Sequence, residues 1–244
     1  PTPPPPPPPP PLTLRGSACD GPCNLIGGNA VAGIDIAGPG TSNNAVQGNF
    51  IGVQPDGTSA LPNLGAGVVA EGGASHDVIG GDRPPGDCTG PCNLISDNGG
   101  NGVSVQDGGT AGITIRGNDI YANGGPAIDL GGSGITPNAG AASDDGGPGG
   151  VSAPNDGVNF PVGVTAQTLG GNTIISGLLP VANPTQYTVD LYASKQPGRC
   201  GHALNKTATA CDSSVTEHFG DGQRWLGSTT PTATGAFALV LTGA

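Results

Sequence analysis

The residues with the plainest chemistry in this 244-residue chain are its six cysteines. Four of them lie in two copies of one phrase, C-x-G-P-C-N-L-I, which begins at Cys19 and again at Cys88; the others are Cys200 and Cys211. Two close pairs of thiolates have the ligand types of a structural zinc site. The same pairs can instead close on themselves, Cys19 on Cys23 and Cys88 on Cys92, with Gly-Pro making the turn. Cys200 and Cys211 would then staple a later loop. An even count in close pairs suits an oxidising compartment, so disulfides are expected at all six and the expected location is extracellular or at the cell surface.

Carboxylates offer less. Polysaccharide cleavage needs either clustered Asp holding Ca²⁺ beside an Arg or Lys base, or two Asp paired as acid and base. Asp35 and Asp129 fall at matching places in GIDI and AIDL, but Val69 and Ser104 take the same place in the stretches between. Before residue 132 the basic residues are Arg15, Arg83 and Arg116 and the aromatics are Phe50 and Tyr121, a poor platform for sugar rings. Asp144, Asp145 and Asp156 sit in a Gly-rich stretch and are weak candidates for a structural Ca²⁺, with no EF-hand spacing around them. No other cofactor or metal is expected. His76, His202 and His218 occupy separate contexts, and Asn205-Lys206-Thr207 is a formal glycosylation sequon.

Positioning these residues falls to short strands and turns. With 47 Gly and 26 Pro the composition approaches low complexity, yet only 10% of residues are charged, against the charge-rich habit of disordered chains. Three offset series recur. NLIGG, NFIGV, NLISD and NDIYA begin at Asn24, Asn49, Asn93 and Asn118. GIDI, GVVA, GVSV and AIDL begin at Gly33, Gly67, Gly102 and Ala127; NAVQGN, HDVIGG and GITIRGN begin at Asn44, His76 and Gly112. Such series describe a coil with three strands per turn, its alternate Val and Ile facing inward and stacking on the next turn. Asn and Gly at the corners supply left-handed backbone and local hydrogen bonds. The 44-residue step from Asn49 to Asn93 reads as two turns, with Asp77–Gly81 marking the one between. VQPDGTSALPNL and GDRPPGDCTGPC read as loops bulging from corners, as a solenoid tolerates. Corners two or three turns apart lie ~10–14 Å apart, too far for one metal, which favours local disulfides.

On these motifs, over about residues 19–132, the chain resembles bacterial extracellular right-handed parallel β-helix repeat proteins. The fold serves pectin-degrading enzymes, phage tailspikes and adhesins, so the resemblance implies architecture and not activity. The lyase and hydrolase motifs of such proteins are not visible here. Residues 133–157 read as a Gly/Asp-rich linker. Residues 158–244 carry six of the eight aromatics, and Tyr187–Ser194 with Gly220–Ser228 resemble the β-sandwich module that often follows such helices. The resemblance implies an Ig-like or fibronectin-like sandwich of about seven strands. The expected fold is therefore all-β: a polyproline II segment over 1–11, a parallel β-helix of about four coils over 12–132, then linker and sandwich.

Residues Pro3, Pro4, Pro5, Pro6, Pro7, Pro8, Pro9, Pro10 and Pro11 enforce an extended polyproline II rod. It is either an exposed spacer or a strap along a neighbouring molecule, since a rigid rod loses little entropy on docking. The chain has no Met, which suggests a trimmed product, and no apolar run approaches the ~20 residues of a membrane span. Residues 1–157 hold 3 basic and 14 acidic side chains, the whole of the net charge of −11, while residues 158–244 hold 4 of each. That balance argues against nucleic acid or anionic lipid as a partner. A short coil exposes unpaired strands at both ends, and neither end has a capping helix in the sequence. The expectation is a non-enzymatic structural protein that assembles head to tail through the proline segment, its partner a second copy of itself. A monomeric adhesin that binds a surface glycan and a carbohydrate-active enzyme are the alternatives.

Overall fold

Val and Ile alternating with small or polar residues, in runs of two to four between Gly and Asn, can bury one side only when stacked on like strands. The computed structural model describes residues 23–131, 134, 136, 138, 153–194 and 221–242, and is all-β with no α-helix among them. Eleven strands form three parallel sheets. The first holds β1 (Leu25–Ile26), β4 (Phe50–Ile51), β7 (Leu94–Ser96) and β10 (Asp119–Tyr121). The second holds β2 (Ile34–Ala37), β5 (Val68–Glu71), β8 (Val103–Val105) and β11 (Ile128–Leu130). The third holds β3 (Ala45–Val46), β6 (Val78–Gly80) and β9 (Thr114–Arg116). The chain visits the three sheets in rotation, so each of the three sequence series is one sheet.

Between the sheets lies one apolar column that includes Ile51, Ile79, Ile95, Val68, Val103 and Val105, all fully buried. Outside the first sheet is a second apolar layer of Phe50, Val53, Leu94, Cys88 and Cys92, against which Tyr121 packs. The loops after β4 and β6 cover this outward face.

The 44-residue step is one turn, not two. Phe50 pairs directly with Leu94, and Val78–Gly80 belongs to the third sheet, between β3 and β9. Strand pairing counts turns of the coil, not residues; loops inserted at corners lengthen a step without adding a strand.

The remaining strands are antiparallel. β12 (Val162–Leu169), β13 (Asn172–Leu178) and β16 (Ala236–Thr242) form one sheet in that order, with β12 at its edge; β14 (Val189–Ala193) pairs with β15 (Arg224–Thr229). Ile175, Leu179, Val181, Val189, Leu191 and Phe237 make their common core. Five strands are described there, against about seven expected; residues 195–220 lie outside the described residues.

One end of the parallel region is not open, contrary to expectation. Ile120 of β10 and Gly222 exchange both backbone hydrogen bonds at 2.7 Å in antiparallel fashion. Asn155, in a turn at Pro154–Gly157, accepts from the Ile113 amide at 2.7 Å and donates to its carbonyl at 3.0 Å. Later parts of the chain thus cover the last strand of the first sheet and the corner before β9. No helix among the described residues is long and apolar enough to cross a membrane.

Candidate functional site

The series asparagines do not sit in left-handed corners as expected. Among the non-glycine residues before 131, positive φ belongs to Asn43, His76, Asp97, Asp107 and Ala122. The series residues stack instead into two ladders. Asn24, Asn49 and Asn93 each pass an amide N–H to the side-chain oxygen of the next, at 2.8–2.9 Å, in a ladder that ends at Asn118. Asn29, Asn63 and Asn98 do the same at 2.8–2.9 Å, ending at Asn123. The spare amide hydrogen of Asn93 goes to the Val46 carbonyl, and that of Asn98 to Ile51. Backbone must approach closely beside these ladders: a Cβ on Gly52 or Gly80, both at φ near +90°, would strike the Asn98 or Asn118 amide and a strand carbonyl. A third corner begins alike, Asn44 donating from its backbone and its amide to Asp77 Oδ1 at 2.7 and 2.8 Å. There the other oxygen of the fully buried Asp77 has no partner.

Charge gathers where the antiparallel strands meet the coil. The loop after β6 carries Arg83, whose side chain is 1% exposed. Its Nε donates to the Gly117 carbonyl at 2.7 Å, its Nη1 to Gly86 and Asp87 carbonyls at 2.9 Å, and its Nη2 to Asp119 Oδ1 at 2.5 Å. The guanidinium lies 5.5 Å from the centre of the Trp225 ring, a cation–π geometry. The Gly86 amide donates to the Trp225 carbonyl at 3.0 Å. Burial pushes the Asp119 carboxyl up to about 7; the charge of Arg83 opposes this and that of Asp87 adds to it.

Beside this cluster Arg116 bonds Asp82 at 2.7 Å, Asp190 at 3.2 Å and the Ser228 hydroxyl at 3.1 Å. Burial raises the Asp190 carboxyl above the usual range, against the pull of Arg116. The Tyr192 hydroxyl accepts from the Gly117 amide at 3.1 Å, and burial raises its pKa as well. Asp221 accepts from the Ala122 amide at 2.9 Å.

Cys88 and Cys92 form a disulfide, and Cys23 is also disulfide-bonded. The sulfurs of Cys88 and Cys92 lie with an Asp119 oxygen within 4.8 Å of one another, the ligand types of a metal site. Their sulfurs are bonded to each other, so they offer no thiolate to a metal. The disulfide packs on Leu94 and Phe50 and closes residues 88–92, the later part of the loop after β6.

The carboxylates of the sequence reading are not brought together. Asp35 and Asp129 stand in the first and last strands of the second sheet, three strand spacings or ~14 Å apart, beyond the reach of an acid–base pair on one glycosidic bond. Asp35 is exposed; Asp129 is buried and accepts from Asn101 and the Gly134 amide, both at 3.0 Å. Asp156 is exposed in its turn, and His76 is exposed at a corner. Pro3–Pro11, Cys19, Asp144, Asp145, Cys200, Asn205 and Cys211 lie outside the described residues, as do His202 and His218. Sequence reading missed Arg83, Asp119 and Trp225 as a unit, since nothing local links residues so far apart in the chain. The ladders did leave a trace, a second Asn five residues on in Asn24/Asn29, Asn93/Asn98 and Asn118/Asn123. No family model matches the chain, and no curated protein and no solved structure matches it.

Proposed function

We propose that the chain is a non-enzymatic structural protein of the cell exterior, a short right-handed parallel β-helix of about four coils carrying an Ig-like β-sandwich. It assembles head to tail through its N-terminal segment. Rotation of the chain through three parallel sheets supports the β-helix reading, and two packed antiparallel sheets support the sandwich. The observation that carries the functional reading is the use of the charged side chains. Arg83 and Arg116 are spent on bonds within the chain, which leaves no Arg or Lys among the described coil residues to polarise a substrate. The disulfide supports an oxidising compartment.

Assembly enters at the other end of the coil. There β1, β2 and β3 have a described neighbour on one side only, and residues 1–22 lead directly into β1. Exposed Leu25 and Val31 lie at this end. An edge on one side and a cap on the other make a heterologous joint, which propagates as an open filament. Negative-stain microscopy and light scattering, with and without residues 1–11, test this. Fibres that vanish on truncation are the expected result; single particles in both samples would overturn the reading.

A further inference from the structure

We propose that β12 is a two-fold joint at which a second copy of this chain adds its own β12, continuing the sheet from β16–β13–β12 into β12–β13–β16 of the partner. The strand is eight residues long, VGVTAQTL, and among the described residues it bonds to β13 on one side only. Edge strands in monomeric proteins are guarded by Lys, by Pro, by inward charge, by shortness, by a bulge or by a covering helix or loop. Within β12 there is neither charge nor proline, and its one irregularity, between Val162 and Thr165, leaves Thr165–Leu169 in regular register. Residues 163–169 are all exposed, including Leu169 at 72%.

Two observations select a second copy as the occupant. The first concerns the core: Ala166 pairs with Ile175 and Thr168 with Thr173, so Ala166 stands on the side of the buried Ile175. Ala166 and Thr168 are nevertheless exposed, and the core stops short of β12. A two-fold axis perpendicular to the sheet keeps both core sides on one face, so each copy closes the open flank of the other. The second concerns charge: residues 158–244 hold 4 basic and 4 acidic side chains, while the net −11 lies on residues 1–157. Copies meeting at β12 approach through the neutral part of each molecule and keep the acidic parts apart.

This joint does not involve residues 1–11, and the experiment keeps the two apart. The full chain and a chain lacking residues 1–11 are both expected to sediment as species built from dimers. Gln167, exposed at the middle of the regular stretch, then takes a charge. Gln167→Lys and Gln167→Glu each set like charges against each other near the axis and are expected to weaken dimerisation at least tenfold, about 1.4 kcal/mol. An equimolar mixture of the two variants is expected to restore the dimer. Unchanged circular dichroism shows that the variants are folded, as an exposed edge position allows. A wild-type monomer at concentrations up to roughly 100 µM overturns the proposal. So do a dimer indifferent to both charges, charge variants that the mixture does not rescue, and a monomer whose β12 amides already resist hydrogen exchange.

Discussion

A single oxygen atom separates Asp77 from the asparagines that occupy the matching corners. Asn63 and Asn98 each use both ends of the amide: the oxygen accepts from the turn before, and the nitrogen donates to the turn after and to a strand carbonyl. Asp77 accepts from Asn44 in the same way, but its second oxygen, at 0% exposure, meets nothing. A buried polar atom without a partner costs about 1–3 kcal/mol. Asp77→Asn keeps the acceptor and turns the partnerless oxygen into a donor. It is expected to raise stability to urea by about 1–2 kcal/mol, and a variant that unfolds at lower urea would sink the idea that Asp77 is an incomplete rung. Aligning HDVIGG with NAVQGN by their first residues sets His76 against Asn44, whereas strand register sets Asp77 there, so the sequence reading missed this rung by one residue. The partnerless oxygen was no more legible, because it depends on which groups tertiary packing brings to this corner.

At the scale of elements the coil rests on ladders as much as on its aliphatic column. Asn98 accepts from Asn63 and donates to Ile51, Ser96 and Asn123, and its backbone amide donates to Asn123 as well. Asn98→Ala strands several of these groups in a site 2% exposed, with an expected loss of about 3 kcal/mol or more. Asn24, exposed at the first turn with its side-chain bond to Asn49, should lose under about 1 kcal/mol on the same change. Equal costs at the two positions, measured by urea unfolding, would mean that burial and the number of bonds do not set what a rung contributes. Strand positions were readable because short Val- and Ile-bearing runs recur between Gly and Asn, and each series became one sheet; the burial of consecutive residues in β5, β7 and β8 was not. The number of turns was not readable from spacing, since the loop carrying Arg83 inserts residues without inserting a strand. The site was least legible: Arg83, Asp119 and Trp225 meet through tertiary packing, and each alone resembles an ordinary charged or aromatic residue.

The whole molecule is held together across that meeting point, and its titration should be visible in the stability of the entire chain. Asp119 has an ordinary carboxyl value near 3.8 when unfolded and about 7 when folded, because burial disfavours the anion more than Arg83 favours it. Between those two values the folded protein binds a proton that the unfolded chain has released. Stability therefore falls as pH rises through this window. The contribution is fully present below about pH 4 and lost above about pH 7, with a total of a few kcal/mol at about 1.4 kcal/mol per pH unit. Asp190 is shifted in the same direction for the same reason, so it adds to the slope. Asp56 works the other way in a separate window: hydrogen bonds from Ser59 and Thr58 hold it at about 2, so its effect is confined to more acidic solutions. Asp119→Asn removes the titration while keeping an oxygen for Arg83. Melting curves of the wild type and of Asp119→Asn, taken from about pH 4 to about pH 8, are expected to converge or cross as the wild type loses ground with rising pH. Parallel curves would show that Asp119 is ionised throughout, paired with Arg83 as a permanent salt bridge. The joint between coil and antiparallel strands would then be indifferent to acid across this range.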